Sequence, residues 1–314
     1  MPSFAFFHNQ FVPLAEAKVS VMTHALHYGT AVFEGIRGNW NSEQEQTYIF
    51  RLKEHYQRLE DGCRLLRIKL PHSVDELCRI TVELVRKCGF KEDIYIRPLA
   101  YKSSEALGVR LHNLEDDFLV FAIPWGRYLD MDACRCGISS WRRPADNVIP
   151  PSAKITGLYV NNAFTKTEAM GKGFDEGIML SPDGYVSEGS GENIFLVIDG
   201  KLVTPPVNNS ILVGITRDTA IKLAKNELGI ETIERPIEPA ELYTADECFL
   251  TGTAAHITPI AEIDHRQIGN GKVGEVAGSL QKLYFEVIRG DNPRYIDWCT
   301  PAYEKQAIKT RRSK

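Results

Sequence analysis

Residues Ser187-Glu188-Gly189-Ser190-Gly191-Glu192-Asn193-Ile194-Phe195 decide the fold. Gly189-Ser190-Gly191 opens like a dinucleotide-binding GxGxxG, yet Ile194 occupies the third glycine position and an apolar strand, not a helix, follows. A pyrophosphate site of that type needs a helix N-terminus directly after the glycines, so the dinucleotide reading fails. Outward from this stretch the pattern is one of hairpins. Residues 178–180 and 185–187 flank the turn Ser181-Pro182-Asp183-Gly184, and residues 193–198 and 201–204 flank Asp199-Gly200. Helical patterns fall at residues 158–170, at 217–228 closed by Gly229, and at 277–288 closed by Gly290. Hairpins mixed with helices predict an α+β architecture rather than a doubly wound parallel sheet.

The first half reads as strands mixed with two helices. After a strand at residues 47–50, Leu52, Tyr56, Leu59, Cys63 and Leu66 recur at helical spacing. Ser73 and Glu76 form a capping-box signature ahead of the apolar face Leu77, Ile80 and Leu84, and Gly89 stands at the C-cap position. Residues 94–101 alternate as a strand that puts Tyr95, Arg97, Leu99 and Tyr101 on one face. A buried strand at 118–124 runs into Trp125-Gly126-Arg127-Tyr128-Leu129-Asp130, where the texture of the chain changes. A length of 314 residues suits two cores better than one. The expected division is a small N-terminal α+β domain over residues 1–125, a linker over 126–132 and a large C-terminal α+β domain over 133–314.

Composition removes several classes of function. With 37 basic against 41 acidic residues the net charge is −4, which gives no general field for nucleic acid or an anionic membrane but leaves room for a local anion site. The longest strongly apolar stretch, residues 118–125, falls far short of the ~20 that a membrane helix needs, and residues 1–10 lack the pattern of a leader. Seven scattered cysteines make no disulfide framework and point to a reducing cytoplasm. Cys134 and Cys136 lack the second pair of a zinc site, and His24 and His27 lack a third ligand, so no metal is expected. No GxxxxGK[ST] phosphate loop occurs.

A set of segments carries the chemistry. They are Ala25-Leu26-His27-Tyr28-Gly29-Thr30-Ala31-Val32-Phe33-Glu34-Gly35-Ile36-Arg37, Tyr95-Ile96-Arg97-Pro98-Leu99, Ser152-Ala153-Lys154, the opening stretch, Gly214-Ile215-Thr216-Arg217 and Thr251-Gly252-Thr253-Ala254-Ala255. Together they resemble the branched-chain-amino-acid aminotransferases, fold-type IV enzymes that use pyridoxal 5′-phosphate and share the D-amino-acid-aminotransferase-like architecture. The likeness runs in order from about Phe7 to Ile263, and its most specific part is Glu188, Ser190, Asn193, Ile194, Phe195, Leu202, Thr204, Leu212, Gly214 and Arg217. It implies a two-domain α+β enzyme with the cofactor at the domain interface, assembled at least as a homodimer.

The resemblance also distributes roles. Lys154 matches the lysine that holds the cofactor aldehyde as a Schiff base and moves the substrate's α-proton. Glu188 matches the carboxylate at the pyridine nitrogen, with Glu192 as a structural carboxylate, and Tyr159 the hydroxyl at the ring oxygen. Arg58, Thr253 and the backbone N–H groups of Ile215 and Thr216 match a phosphate cradle, because a helix start and a guanidinium fork both favour an anion, while Leu212 matches a residue packed on the ring. Phe33, Gly35, Val109 and Trp125 match the walls of the substrate pocket, and Tyr28, Tyr95, Arg97 and Tyr128 its polar tips. Arg97 would receive the glutamate side-chain carboxylate, and the amides near Thr253, Ala254 and Ala255 the α-carboxylate. Leu107 and Val109 resemble a loop that reaches into a neighbouring subunit's site.

The activity this implies is reversible amino transfer between L-leucine, L-isoleucine or L-valine and 2-oxoglutarate, in two half-reactions through the pyridoxamine form. Two other readings of the same fold stay open: a D-amino acid or (R)-amine aminotransferase, and an aminodeoxychorismate-lyase-like enzyme. A non-catalytic binding protein would have lost a chemical group, and none is missing. His256 departs from the pattern, standing where many relatives carry an acidic residue.

Overall fold

The computed structural model describes residues 3–126 and 133–304, which build two sheets with helices packed on them. The first sheet is antiparallel. Its order is Cys299–Pro301, Gln46–Phe50, Ile36–Asn41, Ile94–Lys102, Asp116–Pro124, Phe4–Phe7 and Gln10–Pro13, with Ala31–Phe33 also paired to Ile94–Lys102. Helices Leu52–Leu65 and Val74–Cys88 form where the spacing predicts them. Their Tyr56, Leu59, Leu77 and Leu84 are wholly buried in one cluster with Ile36, Ile94, Ile96 and Val120 of the sheet. The capping box is made: Ser73 N–H donates to Glu76 Oε2 at 2.8 Å and Glu76 N–H to Ser73 Oγ at 3.4 Å.

The second sheet runs Val186–Gly189, Glu176–Leu180, Cys134–Ile138, His256–Ile263, Glu247–Gly252, Asn193–Ile198, Lys201–Thr204 and Thr232–Glu234. Glu188 also pairs with Asn193, which joins the first of these strands to Asn193–Ile198 and closes a barrel. Both expected hairpins are present. Ile194 and Leu196 enter a core with Cys134, Cys136, Ile178 and Leu250, whereas Phe195 and Val197 pack with residues of helices Ile215–Leu223 and Glu275–Ile288. The unbroken apolar run therefore marks a strand covered on both faces. Cys134 and Cys136 are core residues with their sulfurs 3.7 Å apart.

The fold departs from the sequence reading in two places. The helix expected from Arg217 starts at Ile215, and its last stretch, Ala224–Leu228, widens to a π-helix. Helix Tyr159–Gly171 forms where the spacing predicts it, after a 3₁₀ turn, Thr156–Leu158. The far end of the chain returns to the first sheet, although the division at 126–132 assigns it to the second unit. Cys299–Pro301 pairs with Gln46–Phe50, Ala302 is buried in the first core, and the Gln46 amide holds both backbone groups of Tyr303 at 2.8 Å. A strand of three residues is too short to announce itself by alternation.

Candidate active site

Lys154 sits where the two sheets meet. Its neighbours Ala153 and Ile155 are buried in the first core, Ile155 bridges to Val32, and the Lys154 carbonyl accepts the Phe33 N–H at 3.0 Å. The backbone is thus fixed by edge strand Ala31–Phe33, while Lys154 lines a cavity of about 370 Å³. Lys154 Nζ donates to the Tyr159 hydroxyl and lies 5.1 Å from the Phe33 ring centroid. The turn Thr156–Leu158 brings Tyr159 back to the lysine, and the Phe33 and Tyr159 rings meet edge to face at 4.6 Å.

Glu188 lines the same cavity and is buried. Its Oε1 meets Arg143 Nη2 at 3.0 Å, and its Oε2 accepts Leu212 N–H at 2.9 Å and Asn193 Nδ2–H at 3.1 Å. Arg143 is held in turn by Asn162 Oδ1 and the Ser210 carbonyl. Burial pushes the Glu188 carboxyl up, against the pull of Arg143, the Leu212 N–H, Lys154 and Arg58. Such a group gains most from a further cation placed beside it.

The anion-seeking end is built by both sheets. Arg58 donates from Nε and Nη2 to Glu34 at 2.7 and 2.8 Å and from Nη1 to the Val213 carbonyl at 2.8 Å. Helix Ile215–Leu223 begins directly after Gly214, which gives it no side-chain cap, so its first N–H groups have no capping bond. Leu212, Ile215, Thr216, Thr253 and Ala254 all line the cavity. Ala255 is buried outside that lining, and His256, at φ 61°, packs 5.1 Å from Phe285.

Phe33, Gly35, Tyr95, Arg97 and Trp125 line the remaining wall. Arg97 Nη2 donates to Tyr95 Oη at 3.0 Å and its guanidinium lies 4.6 Å over the Phe33 ring. Tyr95 packs on Trp125 at 4.7 Å. Tyr28, Leu107 and Val109 do not line this chain's cavity. The Tyr28 hydroxyl accepts the Gly108 N–H at 3.0 Å, and Leu107 and Val109 are 58 % and 91 % exposed beside it. Tyr128 lies outside the described residues. His24 is a buried loop anchor, bonded to Thr30 Oγ1 and the Gly108 carbonyl, and His27 bonds the Val21 carbonyl.

Known proteins resemble this chain over nearly its whole length. The family model for amino-transferase class IV matches residues 31–263. A probable branched-chain-amino-acid aminotransferase of Aquifex aeolicus is 52 % identical over 303 residues, covering 96 % of this chain and 97 % of that protein. A branched-chain aminotransferase of Thermoproteus uzoniensis with norvaline superposes with a TM-score of 0.92 at 42 % identity, covering 96 % of this chain and 100 % of the other. The branched-chain amino acid aminotransferase of Thermobaculum terrenum, in its PLP-bound holo form, also gives 0.92, at 38 % identity, covering 96 % and 99 %. The chain belongs to the class IV aminotransferases, in their branched-chain-amino-acid group.

As a class IV aminotransferase the protein is a transaminase that works with pyridoxal 5′-phosphate. The residues present fit that group. An amine, a buried acid and an uncapped helix start beside a guanidinium line one cavity. Thr251 Oγ1 and Arg97 Nε, both on its lining residues, are buried without a hydrogen-bond partner among the described residues. The sequence alone leaves Arg143, Asn162, Thr251 and Lys166 of this aminotransferase unassigned, and Arg143 stands beside Arg142 with no local pattern to tell the two apart. Glu192, read from the sequence as a structural carboxylate, lines the cavity.

Proposed function

We propose that this aminotransferase moves the amino group reversibly between L-leucine, L-isoleucine or L-valine and 2-oxoglutarate, in the cytoplasm and at least as a homodimer. When bound, pyridoxal 5′-phosphate supplies an aldehyde that captures the donor's nitrogen and a ring that takes up the electron pair left at the α-carbon. Lys154 would hold its aldehyde, Tyr159 its ring hydroxyl, Glu188 its ring nitrogen and Leu212 its face. Arg58, Thr253 and the N–H groups of Ile215 and Thr216 would hold its phosphate. Lys154 Nζ, oriented by the Tyr159 hydroxyl, removes and returns the proton at the amino acid's α-carbon. Glu188, raised by burial and steadied by Arg143, keeps a proton on the ring nitrogen.

The observation that carries the substrate assignment is the wall of Phe33, Gly35, Tyr95, Arg97 and Trp125. Apolar rings receive an aliphatic side chain, and Arg97 with the Tyr95 hydroxyl receives the second carboxylate of glutamate. The Thr253-Ala254-Ala255 loop offers N–H groups to the α-carboxylate. Exposed Leu107 and Val109, with Tyr28 beside them, are the segment offered to a second copy's site. No helix among the described residues is long and apolar enough to cross a membrane.

The test is a donor panel on purified protein with 2-oxoglutarate as acceptor. L-leucine, L-isoleucine and L-valine are expected to react well and D-alanine or an (R)-arylalkylamine poorly. Faster turnover of D-alanine would overturn the substrate assignment. Absence of amino exchange across the panel with cofactor bound would overturn catalysis itself.

A further inference from the structure

Glu34 is a buried carboxylate, 1 % exposed, that does not line the cavity, yet it holds the guanidinium that does. We propose that Glu34 is a positioning residue for the phosphate end of the site, turning Arg58 so that one N–H on each terminal nitrogen is left to grip the phosphate. The inference rests on the reading of Arg58 as a phosphate ligand.

The count of hydrogens carries it. A guanidinium has five N–H donors in a rigid plane. Glu34 Oε1 takes the Nε–H at 2.7 Å and Oε2 takes one Nη2–H at 2.8 Å, while the Val213 carbonyl takes one Nη1–H at 2.8 Å. What remains is one hydrogen on each terminal nitrogen, two charge-assisted donors for phosphate oxygens. Val213 immediately precedes Gly214, so the guanidinium is tied to the helix start whose free N–H groups serve the same anion.

Glu34 is itself fixed. Its second oxygen also accepts from His55 Nδ1 at 2.8 Å, its backbone N–H donates to the Pro98 carbonyl at 3.0 Å, and its chain neighbours Phe33 and Gly35 line the cavity. Burial alone would raise its carboxyl, but Arg58 and His55 together hold it far below the carboxylate range. Both neighbours favour the anion, and the carboxylate holds the guanidinium through two of its five N–H groups.

The experiment measures dissociation constants of the apoenzyme for pyridoxal 5′-phosphate and for pyridoxal, which lacks the phosphate. Glu34→Gln is expected to weaken pyridoxal 5′-phosphate about 10- to 100-fold, the worth of one misaligned charge-assisted contact, and pyridoxal by less than about twofold. Added to Arg58→Lys, which has no fork to orient, Glu34→Gln should cost little more. Equal weakening of both ligands, or losses from Glu34→Gln and Arg58→Lys that multiply, would overturn the proposal. Should Glu34→Gln not fold, Glu34→Asp is read by the same ratio of the two constants. An unchanged ratio in Arg58→Lys would overturn the phosphate reading, whereas a changed ratio there and none in Glu34→Gln overturns only the positioning role.

Discussion

Gly35→Ala adds one methyl group to the substrate wall. On this backbone its Cβ would stand 2.1 Å from Tyr95 Oη and 2.9 Å from Tyr95 Cζ, where real Cβ contacts stay beyond 3.0 Å. The hydroxyl must therefore retreat by roughly 1 Å, more than a close-packed wall absorbs without rearranging. Retreat is opposed, because the ring packs on Trp125 at 4.7 Å and Arg97 donates to the hydroxyl at 3.0 Å. Overpacking of this kind costs about 1–3 kcal/mol, and loss of the Arg97 bond accounts for about 1.5 of it. Expressed in catalysis, that is about a tenfold fall in kcat/KM for 2-oxoglutarate, whose second carboxylate Arg97 is proposed to receive. L-leucine has no such carboxylate and should lose less. The assay is steady-state kinetics of both half-reactions in Gly35→Ala, Tyr95→Phe and the double variant. Tyr95→Phe removes the hydroxyl at 2.1 Å, the closest atom the methyl group strikes, and leaves Cζ at 2.9 Å, so in its presence Gly35→Ala should cost clearly less. Wild-type kinetics in Gly35→Ala, or a double variant that still carries the whole Gly35→Ala loss, would refute the reasoning.

Three further outcomes are expected. Glu188→Gln should slow the proton-transfer step in single turnover while retaining cofactor, and should lower thermal stability by up to about 3–5 kcal/mol because buried Arg143 loses its counter-charge; an unchanged single-turnover rate would count against the role. Arg97→Ala should raise KM for glutamate and 2-oxoglutarate more than for leucine, and equal losses would make the arginine structural. Burial first, and Glu176 second, push the Glu192 carboxyl up from 4.5 to about 8. The folded state binds the extra proton, so stability falls as pH rises from about 4.5 through about 8, and Glu192→Gln should flatten that slope in a denaturation series across those pH values.

Much of this arrangement is legible in the sequence because periodicity and punctuation agree with packing. The Ser73 box, the two hairpins and the alternation of Tyr95 with Arg97 are local patterns, and local patterns survive folding. Arg143, Asn162 and Thr251 are not legible because their place comes from contacts across the chain: Arg143 meets Glu188 only after the barrel closes. Glu34 is visible only as a charge between two wall residues, and its meaning needs Arg58, which arrives from a different helix. The return of Cys299–Pro301 to the first sheet is equally non-local, since its partner strand Gln46–Phe50 lies at the other end of the chain.

The position of Lys154 follows from which core owns its neighbours. In sequence the lysine leads the second half of the chain, yet Ala153, Ile155 and Leu158 are buried with Val32, Ile36 and Ile96 of the first. Gly29 completes the attachment: its carbonyl accepts from Gly157 N–H at 3.2 Å and Thr156 Oγ1 at 2.8 Å. A Cβ on Gly29 would stand 2.6 Å from Gly157 Cα, so the two segments meet backbone to backbone. Lys154, Phe33, Gly35 and Arg97 consequently share one frame, the first sheet and its edge strand. Glu188, Leu212 and the Ile215 helix start belong to the barrel. Arg58 is one side chain that spans the two, anchored on Glu34 at one end and on the Val213 carbonyl at the other. The acid is therefore placed relative to the amine by the packing of barrel against sheet. The wall proposed for the substrate is placed relative to the amine by a few backbone hydrogen bonds, the more rigid constraint, beside the group proposed to move the proton.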